Sequence, residues 1–278
     1  MEAAFIMQFL NSTALLSALL LVGCGGESYI RPPSQEPFSY QPWDSVLKQH
    51  VDNDGYVNYE GVRSDSAFWR FVGMLNGAKP SQLGKPEQLA FWINAYNALT
   101  FQLICDNLEK DGKKLASITD LAAGLVGAVS PLTSPWELEV AKIEGKTMTL
   151  QQIEDDYVRK LGDERIHFAI NCASISCPKV MREAWTAENM DRLYAEGRAA
   201  YLSNPAENRF SGDTLYLSEI FISFYPDDFK KAEGSVAKYV AKYWPNAAEA
   251  KKIAEIPDAN IQKLSYNWGL VSQENKKE

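Results

Sequence analysis

The residues most capable of chemistry lie together, between positions 167 and 178. This dozen holds one of the two histidines of the chain, His167, and two of its four cysteines, Cys172 and Cys177. Ser174 and Ser176 lie beside them. A thiol nucleophile needs a base within hydrogen-bond reach, a lowered pKa and donors for an oxyanion. The segment carries candidates for each of these groups, so it is the first place to look for a catalytic site.

An alternation of polar and apolar residues predicts a β-strand from Arg165 to Cys172. Arg165, His167 and Asn171 would share one face of this strand, whereas Cys172 would lie on the opposite, apolar face. His167 is then the candidate base, and Asn171 is placed to orient it or to donate to an oxyanion. The strand directs Cys172 away from His167, which makes Cys172 the poorer nucleophile of the two cysteines.

Cys177 is the nucleophile that this pattern favours. It follows the predicted strand in a serine-rich loop, and Pro178 after it indicates the start of a helix, whose N-terminus would lower the thiol pKa. Other possibilities remain open: a short-loop disulfide between Cys172 and Cys177, buried unreactive thiols, or a zinc site that includes His167. The spacing matches no common zinc module, so we predict no metal and no cofactor.

A long helix precedes this segment. Pro86 suits its first turn, and the helix runs to about Glu109 with apolar residues on nearly every face, which is typical of a buried helix. Asn94 and Asn97 are three residues apart and project from one side. Either they bind neighbouring backbone, or they face a cleft that contains the histidine. The candidate cleft residues are Asn94, Asn97, Glu154, Arg165 and Ser174.

The remaining local signals predict an α+β fold, a single helix-rich domain with a small mixed or antiparallel sheet. Thr149 and Gln152 form a capping box for a helix through Leu161. The segment from Arg209 to Leu217 is typical of a hairpin turning at Gly212, and helices follow near 234–243 and 247–254. The strands are short and follow no βαβ rhythm. Because 46% of the 278 residues are hydrophobic, the chain has enough apolar side chains for one large core. We predict that the globular domain spans residues 44–272.

The N-terminus predicts export and lipid anchoring. Thr13 to Gly23 is an apolar run too short to span a bilayer but long enough for a signal-peptide core, although residues 1–23 contain no Lys or Arg. Leu21 to Cys24 resembles the bacterial lipobox, so Cys24 is the expected lipidation site. Residues 24–43, with four prolines, would form a tether, and 273–278 a polar tail. We expect a periplasm-facing anchor, in the outer rather than the inner membrane.

The charge of the chain bears on its partners. The formal net charge is −8 and the pI is about 5.0. Nucleic acids and anionic surfaces attract clustered Lys and Arg, which are missing from the sequence, so nucleic acid is excluded as a partner. The expected partners are a membrane, through the N-terminal lipid, and a peptide or other cell-envelope substrate.

The chain resembles the family known as domain of unknown function 547 from about Trp43 to Leu270. The resemblance rests on the Ala-Phe-Trp-Ile-Asn-Ala-Tyr-Asn run of 90–97, the Leu-x-x-Ile-Glu turn of 150–154 and the segment 165–178. The family usually has Tyr-Asp-Trp-x-Leu-Asn near the C-terminus, where this chain has Asn267 in place of the acid and Val271 in place of the last Asn. The resemblance therefore suggests Asn267 as a residue that orients the histidine.

Two classes of function follow from these observations. The first is a thiol-dependent hydrolase or transferase that acts on peptide or amide bonds in the cell envelope. The second is a non-catalytic envelope module that binds a partner or ligand in the same cleft. A distant likeness to papain-like or transglutaminase-like thiol enzymes is an analogy, because those enzymes also unite a buried helix with a histidine on a strand, and fold does not determine function.

Overall fold

A computed structural model describes residues 29–110, 112–123 and 134–276 of the chain. Cys24 and the predicted signal peptide lie outside these residues. No helix within the described ranges is both long and apolar enough to cross a bilayer.

Helices make up most of the described structure. The α-helices are α1 Gln41–His50, α2 Tyr59–Ser64, α3 Ser66–Gly77, α4 Lys85–Cys105, α5 Asp120–Ala123, α6 Leu150–Gln152, α7 Arg159–Leu161, α8 Met190–Leu202, α9 Pro226–Glu233, α10 Val236–Tyr243 and α11 Ala247–Ile253. Two π-helical segments, Ile153–Val158 and Ile220–Phe224, interrupt the α-helical pattern. Single 3₁₀ turns lie at Pro80–Gln82, Pro135–Glu137, Glu164–Phe168, Asp258–Asn260 and Gln273–Asn275.

The strands form three small sheets. They are β1 Glu109–Lys110, β2 Lys113–Lys114, β3 Glu139–Ile143, β4 Lys146–Thr149, β5 Asn208–Ser211, β6 Thr214–Leu217 and β7 Gln262–Lys263. β1 pairs with β2 and β3 with β4, both antiparallel. The third sheet is mixed, because β6 pairs antiparallel with β5 and parallel with β7. The fold is therefore α+β, in one domain, as the sequence predicts.

Two adjoining groups of buried side chains form the core. The larger one surrounds α4, and the smaller one lies between α8, the β5–β6 hairpin and helices α9 to α11. The short 3₁₀ helix Glu164–Phe168 joins them, because Ile166 is buried in the larger group and Phe168 in the smaller one. This helix also carries His167, which places the histidine at the junction of the two groups.

Several local predictions are confirmed. α4 begins at Lys85 with Pro86 in its first turn, and it is buried over most of its length, although it ends four residues before the predicted Glu109, which is paired in β1. The Thr149–Gln152 capping box is present with both of its hydrogen bonds. The predicted hairpin forms with its turn at Gly212, which has a φ of 64°, between the paired residues Ser211 and Thr214.

The predicted strand from Arg165 to Cys172 is wrong. The Asp163 side chain accepts a hydrogen bond from the Arg165 backbone N–H, and this cap starts the 3₁₀ helix. The N–H groups of Ala169 and Ile170 then both bind the Ile166 carbonyl, so the backbone is coiled rather than extended. The helix predicted at Pro178 is also missing, since no helix lies between Phe168 and Met190. Cys177 is therefore not at a helix N-terminus.

Both ends of the described domain extend beyond the predicted 44–272. Within the predicted tether, Ser34 N–H binds the Gly73 carbonyl, and the carbonyl of Arg31 accepts from the Asn76 amide. Residues 29–43 therefore contact the domain rather than forming a free spacer. At the other end, Gln273 N–H binds the Val57 carbonyl, so the predicted tail begins inside the domain.

We predict that Trp92→Ala lowers the free energy of unfolding by about 3–5 kcal/mol, because it empties an aromatic site in the core. Trp92 is 2% exposed, and its ring stacks on Tyr157 with centroids 4.0 Å apart. Half-buried Trp69 offers a matched control, and we expect Trp69→Ala to cost about 1–2 kcal/mol. Denaturant unfolding of both variants measures the difference. A loss below about 1 kcal/mol for Trp92→Ala would contradict the packing of α4.

Candidate active site

The Asn97 amide holds the backbone that precedes Cys172. Asn97 lies on α4 and is 5% exposed. Its Nδ2 donates to the Ala169 carbonyl at 2.8 Å, and its Oδ1 accepts from the Asn171 N–H at 2.9 Å. Both polar groups of the side chain are thus used on one short stretch of backbone. Asn97 does not line the cavity described below; it fixes the start of the cysteine loop.

Asn171 closes that loop from inside. Its Nδ2 donates to the Pro178 carbonyl at 2.7 Å, and its Oδ1 accepts from the Ala173 N–H at 2.7 Å. Ala173 is buried and has a φ of 63°, a left-handed conformation that costs a non-glycine residue about 1–2 kcal/mol. The Asn171 side chain stabilises this turn. It is bound entirely to backbone, so it neither orients His167 nor lies free to donate to an oxyanion.

The folded-back loop brings the two cysteine sulfurs together. Cys172 Sγ and Cys177 Sγ are 3.1 Å apart, and both thiols are free. Cys172 Sγ is also 3.1 Å from Ser174 Oγ and 3.3 Å from the Tyr266 hydroxyl. Ser174 Oγ and the Tyr266 hydroxyl lie 2.9 Å apart. The sulfur of Cys172 is therefore surrounded by groups that can hydrogen-bond to it, although the sequence pattern assigned it to the apolar face.

These contacts give the two thiols opposite acidities. The Cys177 thiol, followed by the hydroxyls of Ser174 and Tyr266, stabilises the Cys172 thiolate against the effect of burial and lowers the pKa of Cys172 to about 7. Burial and the neighbouring Cys172 raise the pKa of Cys177 well above its usual range. Cys172 is therefore the more acidic thiol, and the helix N-terminus that was expected to activate Cys177 is absent.

His167 is almost fully buried and bonded to a carboxylate that the sequence analysis missed. It is 2% exposed, its Nε2 lies 2.8 Å from Asp228 Oδ2, and its ring stacks on Tyr225 with centroids 3.8 Å apart. Burial lowers the pKa of His167, and Asp228 opposes that shift. The other ring nitrogen, Nδ1, has no hydrogen-bond partner among the described residues. No hydrogen bond there joins His167 to either cysteine sulfur.

Glu154 is a second buried titratable group near the histidine. It lies in the π-helical segment Ile153–Val158, a form often found at functional sites, and it is 5% exposed. The hydroxyl of Tyr225 donates to Glu154 Oε1 at 2.7 Å. Burial raises the pKa of Glu154. The protonated form of this side chain is therefore more favoured than it would be for an exposed glutamate.

A cavity of about 400 Å³ connects these groups. Its wall is formed by Tyr96, Trp136, Gln151, Glu154, His167, Ile170, Cys172, Cys177, Ile220, Ser223, Phe224, Tyr225, Tyr266 and Trp268. Two larger surface depressions, of about 830 and 730 Å³, are lined by neither cysteine nor histidine. The 400 Å³ cavity is therefore the candidate active site, because it alone of these three combines a nucleophile with buried acid–base groups.

Besides Asn97 and Asn171, four more of the sequence-predicted residues do not line the cavity. Asn94 is fully buried, and its amide bonds Trp185, Trp43 and Ala90, so its role is structural. Arg165 binds Asp163 and Asp191, because the 3₁₀ turn separates it from His167. Asn267 is exposed and accepts from the Gly269 N–H, so it does not orient His167. Ser174 does not line the cavity but contacts the sulfur of Cys172, which does.

Metal binding finds no support in the part of the chain that is described. No group of three or more His, Cys, Asp and Glu side chains there is arranged to hold an ion. Of the residues in the zinc alternative, His167 directs its Nε2 to Asp228.

We predict that Asp228→Asn lowers the pKa of His167 further, because the carboxylate that stabilises the imidazolium is replaced by a neutral amide. The chain has only two histidines, so NMR titration of the imidazole signals resolves His167 from His50. Asp227→Asn is the matched control, since the Asp227 side chain is 95% exposed and pairs with Lys230. An unchanged His167 titration in Asp228→Asn would contradict the pairing.

Comparison with known proteins finds a match to one family and no match that suggests a reaction. No curated protein and no solved structure gives a significant match. Residues 80–202 match the model of the family described as protein of unknown function, DUF547, and these residues include α4, Glu154, His167 and both cysteines of the cavity. The match supports the family that the sequence motifs indicate, over 123 of the 278 residues.

Proposed function

We propose that the cavity is the active site of a thiol-dependent hydrolase or transferase of amide bonds, with Cys172 as its nucleophile. The observation that carries the proposal is the set of hydrogen-bonding groups around Cys172 Sγ, which comes from Cys177, Ser174 and Tyr266. A thiol with a pKa of about 7 is substantially ionised at neutral pH, so it does not need a histidine in direct contact to become a nucleophile.

Glu154 supplies the acid–base chemistry in this proposal. Cys172 Sγ attacks the amide carbonyl and forms a C–S bond, the C–N bond breaks, and the leaving nitrogen takes a proton from the Glu154 carboxyl group. The resulting glutamate then takes a proton from water, which attacks the thioester and releases the acid and the Cys172 thiolate. The raised pKa of Glu154 supports its role as proton donor. His167, with Nδ1 unbonded, is a second base on the same wall.

Cys177 has a double role in this scheme. Its thiol stabilises the Cys172 thiolate, but its sulfur is also near enough to form a disulfide after a small movement. Oxidation would consume both sulfurs and stop the thiol reaction. Activity therefore requires the reduced pair.

A non-catalytic binding module is the second candidate. It is supported by the aromatic side chains of the cavity, which offer binding surface without chemistry. The two candidates differ in the reactivity of Cys172, because a thiol in a binding module has no need of an ionised sulfur.

We also propose that the protein is exported and anchored through a lipid on Cys24, facing the periplasm. The support is the short apolar core followed by Leu21-Val22-Gly23-Cys24. An envelope location would give the enzyme access to peptide or amide substrates there.

We predict that Cys172 of the reduced native protein is alkylated by iodoacetamide with a midpoint near pH 7, because only the thiolate reacts. Cys177→Ala should raise this midpoint by about one to two pH units, since a hydrogen bond to a charged group contributes about 1.5–3 kcal/mol and a pH unit is about 1.4 kcal/mol. Peptide mass spectrometry after labelling from about pH 5 to 9 gives the rate at each cysteine.

Cys105→Ala is the matched control for this experiment. Cys105 is buried, and burial raises its pKa, so its removal should leave the labelling of Cys172 unchanged. Faster labelling of Cys177 than of Cys172, or no labelling of either before denaturation, would contradict the catalytic proposal.

The anchoring proposal makes a separate prediction. Mass spectrometry of protein from its native host should find a mature N-terminus at Cys24 carrying two or three acyl chains. A Cys24→Ala variant should stay unprocessed at this position. Recovery of an intact Met1, or of an unmodified Cys24 amine, would show that the lipobox-like sequence is not used.

A further inference from the structure

Five aromatic side chains form a continuous wall of the cavity, which we call the aromatic wall: Trp136, Phe224, Tyr225, Tyr266 and Trp268. The Trp268 ring is central to it. Its centroid lies 4.6 Å from that of Tyr266, 5.8 Å from Trp136 and 5.9 Å from Phe224. A ring of this wall that turns its face toward the cavity offers a negative π-surface to an occupant.

The aromatic wall is only partly covered by the protein itself. Phe224 is 38% exposed and is one of two exposed large hydrophobic residues in the described ranges, while Trp136 and Trp268 are half-buried. Exposed apolar side chains grouped around a concave site mark a place where a ligand binds. The wall therefore has surface left for a substrate group.

The charged groups of the cavity indicate whether the substrate group on the aromatic wall is a cation or an anion. Glu154 is the acidic side chain of the lining, burial lowers the pKa of His167 and so disfavours its cationic form, and the lining contains no Lys or Arg. The nearby guanidinium of Arg159 is bound to Asp155 and Asp228, with its central carbon 5.6 Å from the Tyr225 ring centroid. A cation can thus enter without meeting an unpaired positive charge in the lining.

We propose that this cavity binds the ammonium group of an alkylamine substrate, between the aromatic wall and the Glu154 carboxylate. A cation over the faces of Trp and Tyr is attracted by their quadrupoles, and the attraction grows when water is excluded. The ammonium group favours the ionised form of Glu154 against the effect of burial, so the carboxylate accepts its hydrogen bonds. The apolar stem of the amine packs on the rings.

The role of this amine as acyl acceptor rests on the proposed function, whereas its binding does not. The ammonium passes one proton to the Glu154 carboxylate, and the free amine attacks the thioester on Cys172. A C–N bond forms and the C–S bond breaks, and the second proton of the nitrogen leaves with the sulfur as thiol. The products are a new amide, the Cys172 thiol and protonated Glu154, so the reaction is transfer to an amine rather than hydrolysis.

Calorimetric titration of the reduced protein with n-pentylammonium chloride and with 1-pentanol, at equal ionic strength, tests the binding. We expect the cation to bind at least about tenfold more tightly than the alcohol, which corresponds to about 1.4 kcal/mol. The Glu154→Gln variant should bind the cation about tenfold more weakly than the native protein, whereas its affinity for the alcohol should be unchanged. Asp156→Asn is the matched control, because its carboxylate lies two residues away on the same π-helical segment but is exposed.

Trp268→Leu provides a second variant should Glu154→Gln fail to fold. This variant keeps an apolar side chain but removes the π-face, so it should lower the affinity for the cation more than the affinity for the alcohol. Equal affinities for cation and alcohol in the native protein would overturn the inference. Cation binding that both Glu154→Gln and Trp268→Leu leave intact would also overturn it.

The outcome is separable from that of the proposed function. Fast alkylation of Cys172 without amine binding would support the proposal of a thiol enzyme and exclude an amine as its acyl acceptor. Amine binding in a protein whose Cys172 does not react would exclude the enzyme and make the cavity an amine-binding module.

Discussion

The double hydrogen bond of the Asn97 amide with the Ala169 carbonyl and the Asn171 N–H is the constraint on which the site depends. It links a buried helix to the beginning of the cysteine loop, and Asn171 extends the link to Ala173 and Pro178. Breaking it would leave buried backbone groups unpaired, at about 1–3 kcal/mol each. The loop can hold a left-handed alanine and two adjacent sulfurs because these amides determine its path.

The C-terminal segment completes the arrangement. The N–H groups of Ile175 and Ser176 bind the carbonyls of Gly269 and Asn267, and this pairing places Tyr266 beside Cys172 Sγ. Burial disfavours a thiolate, so the acidity of Cys172 depends on these donors exceeding the cost of burial. Cys177 Sγ accepts a hydrogen bond from the Cys172 N–H, but burial dominates its pKa. The asymmetry between the two thiols therefore has its origin in contacts across the chain.

The sequence predicts those parts of the structure that local signals determine. The capping box at Thr149, the turn at Gly212 and the apolar run of α4 each encode their element within a few residues. The alternation from Arg165 to Cys172 failed, because the Asp163 cap and the Asn97 amide impose a coil on a pattern that also fits a strand. That error placed Cys172 on an apolar face, and the sequence analysis therefore favoured Cys177 as the nucleophile.

The site residues that could not be identified from the sequence are those whose partners lie far away in the chain. Asp228 lies 61 residues from His167, and Tyr266 lies 94 from Cys172. The Pro-Asp-Asp run at 226–228 is typical of a helix start and gave no signal of a histidine partner. The π-helical segments Ile153–Val158 and Ile220–Phe224, which both line the cavity, likewise have no local code in the sequence.

The central claim is that Cys172 is the group that accepts an acyl chain. The most direct measurement is to treat the reduced native protein with a small activated ester at limiting concentration, and then to locate the acyl group by peptide mass spectrometry. The account predicts a single acyl group as a thioester on Cys172 and none in Cys172→Ala. An acyl group on Cys177, or no thioester on either cysteine, would contradict it.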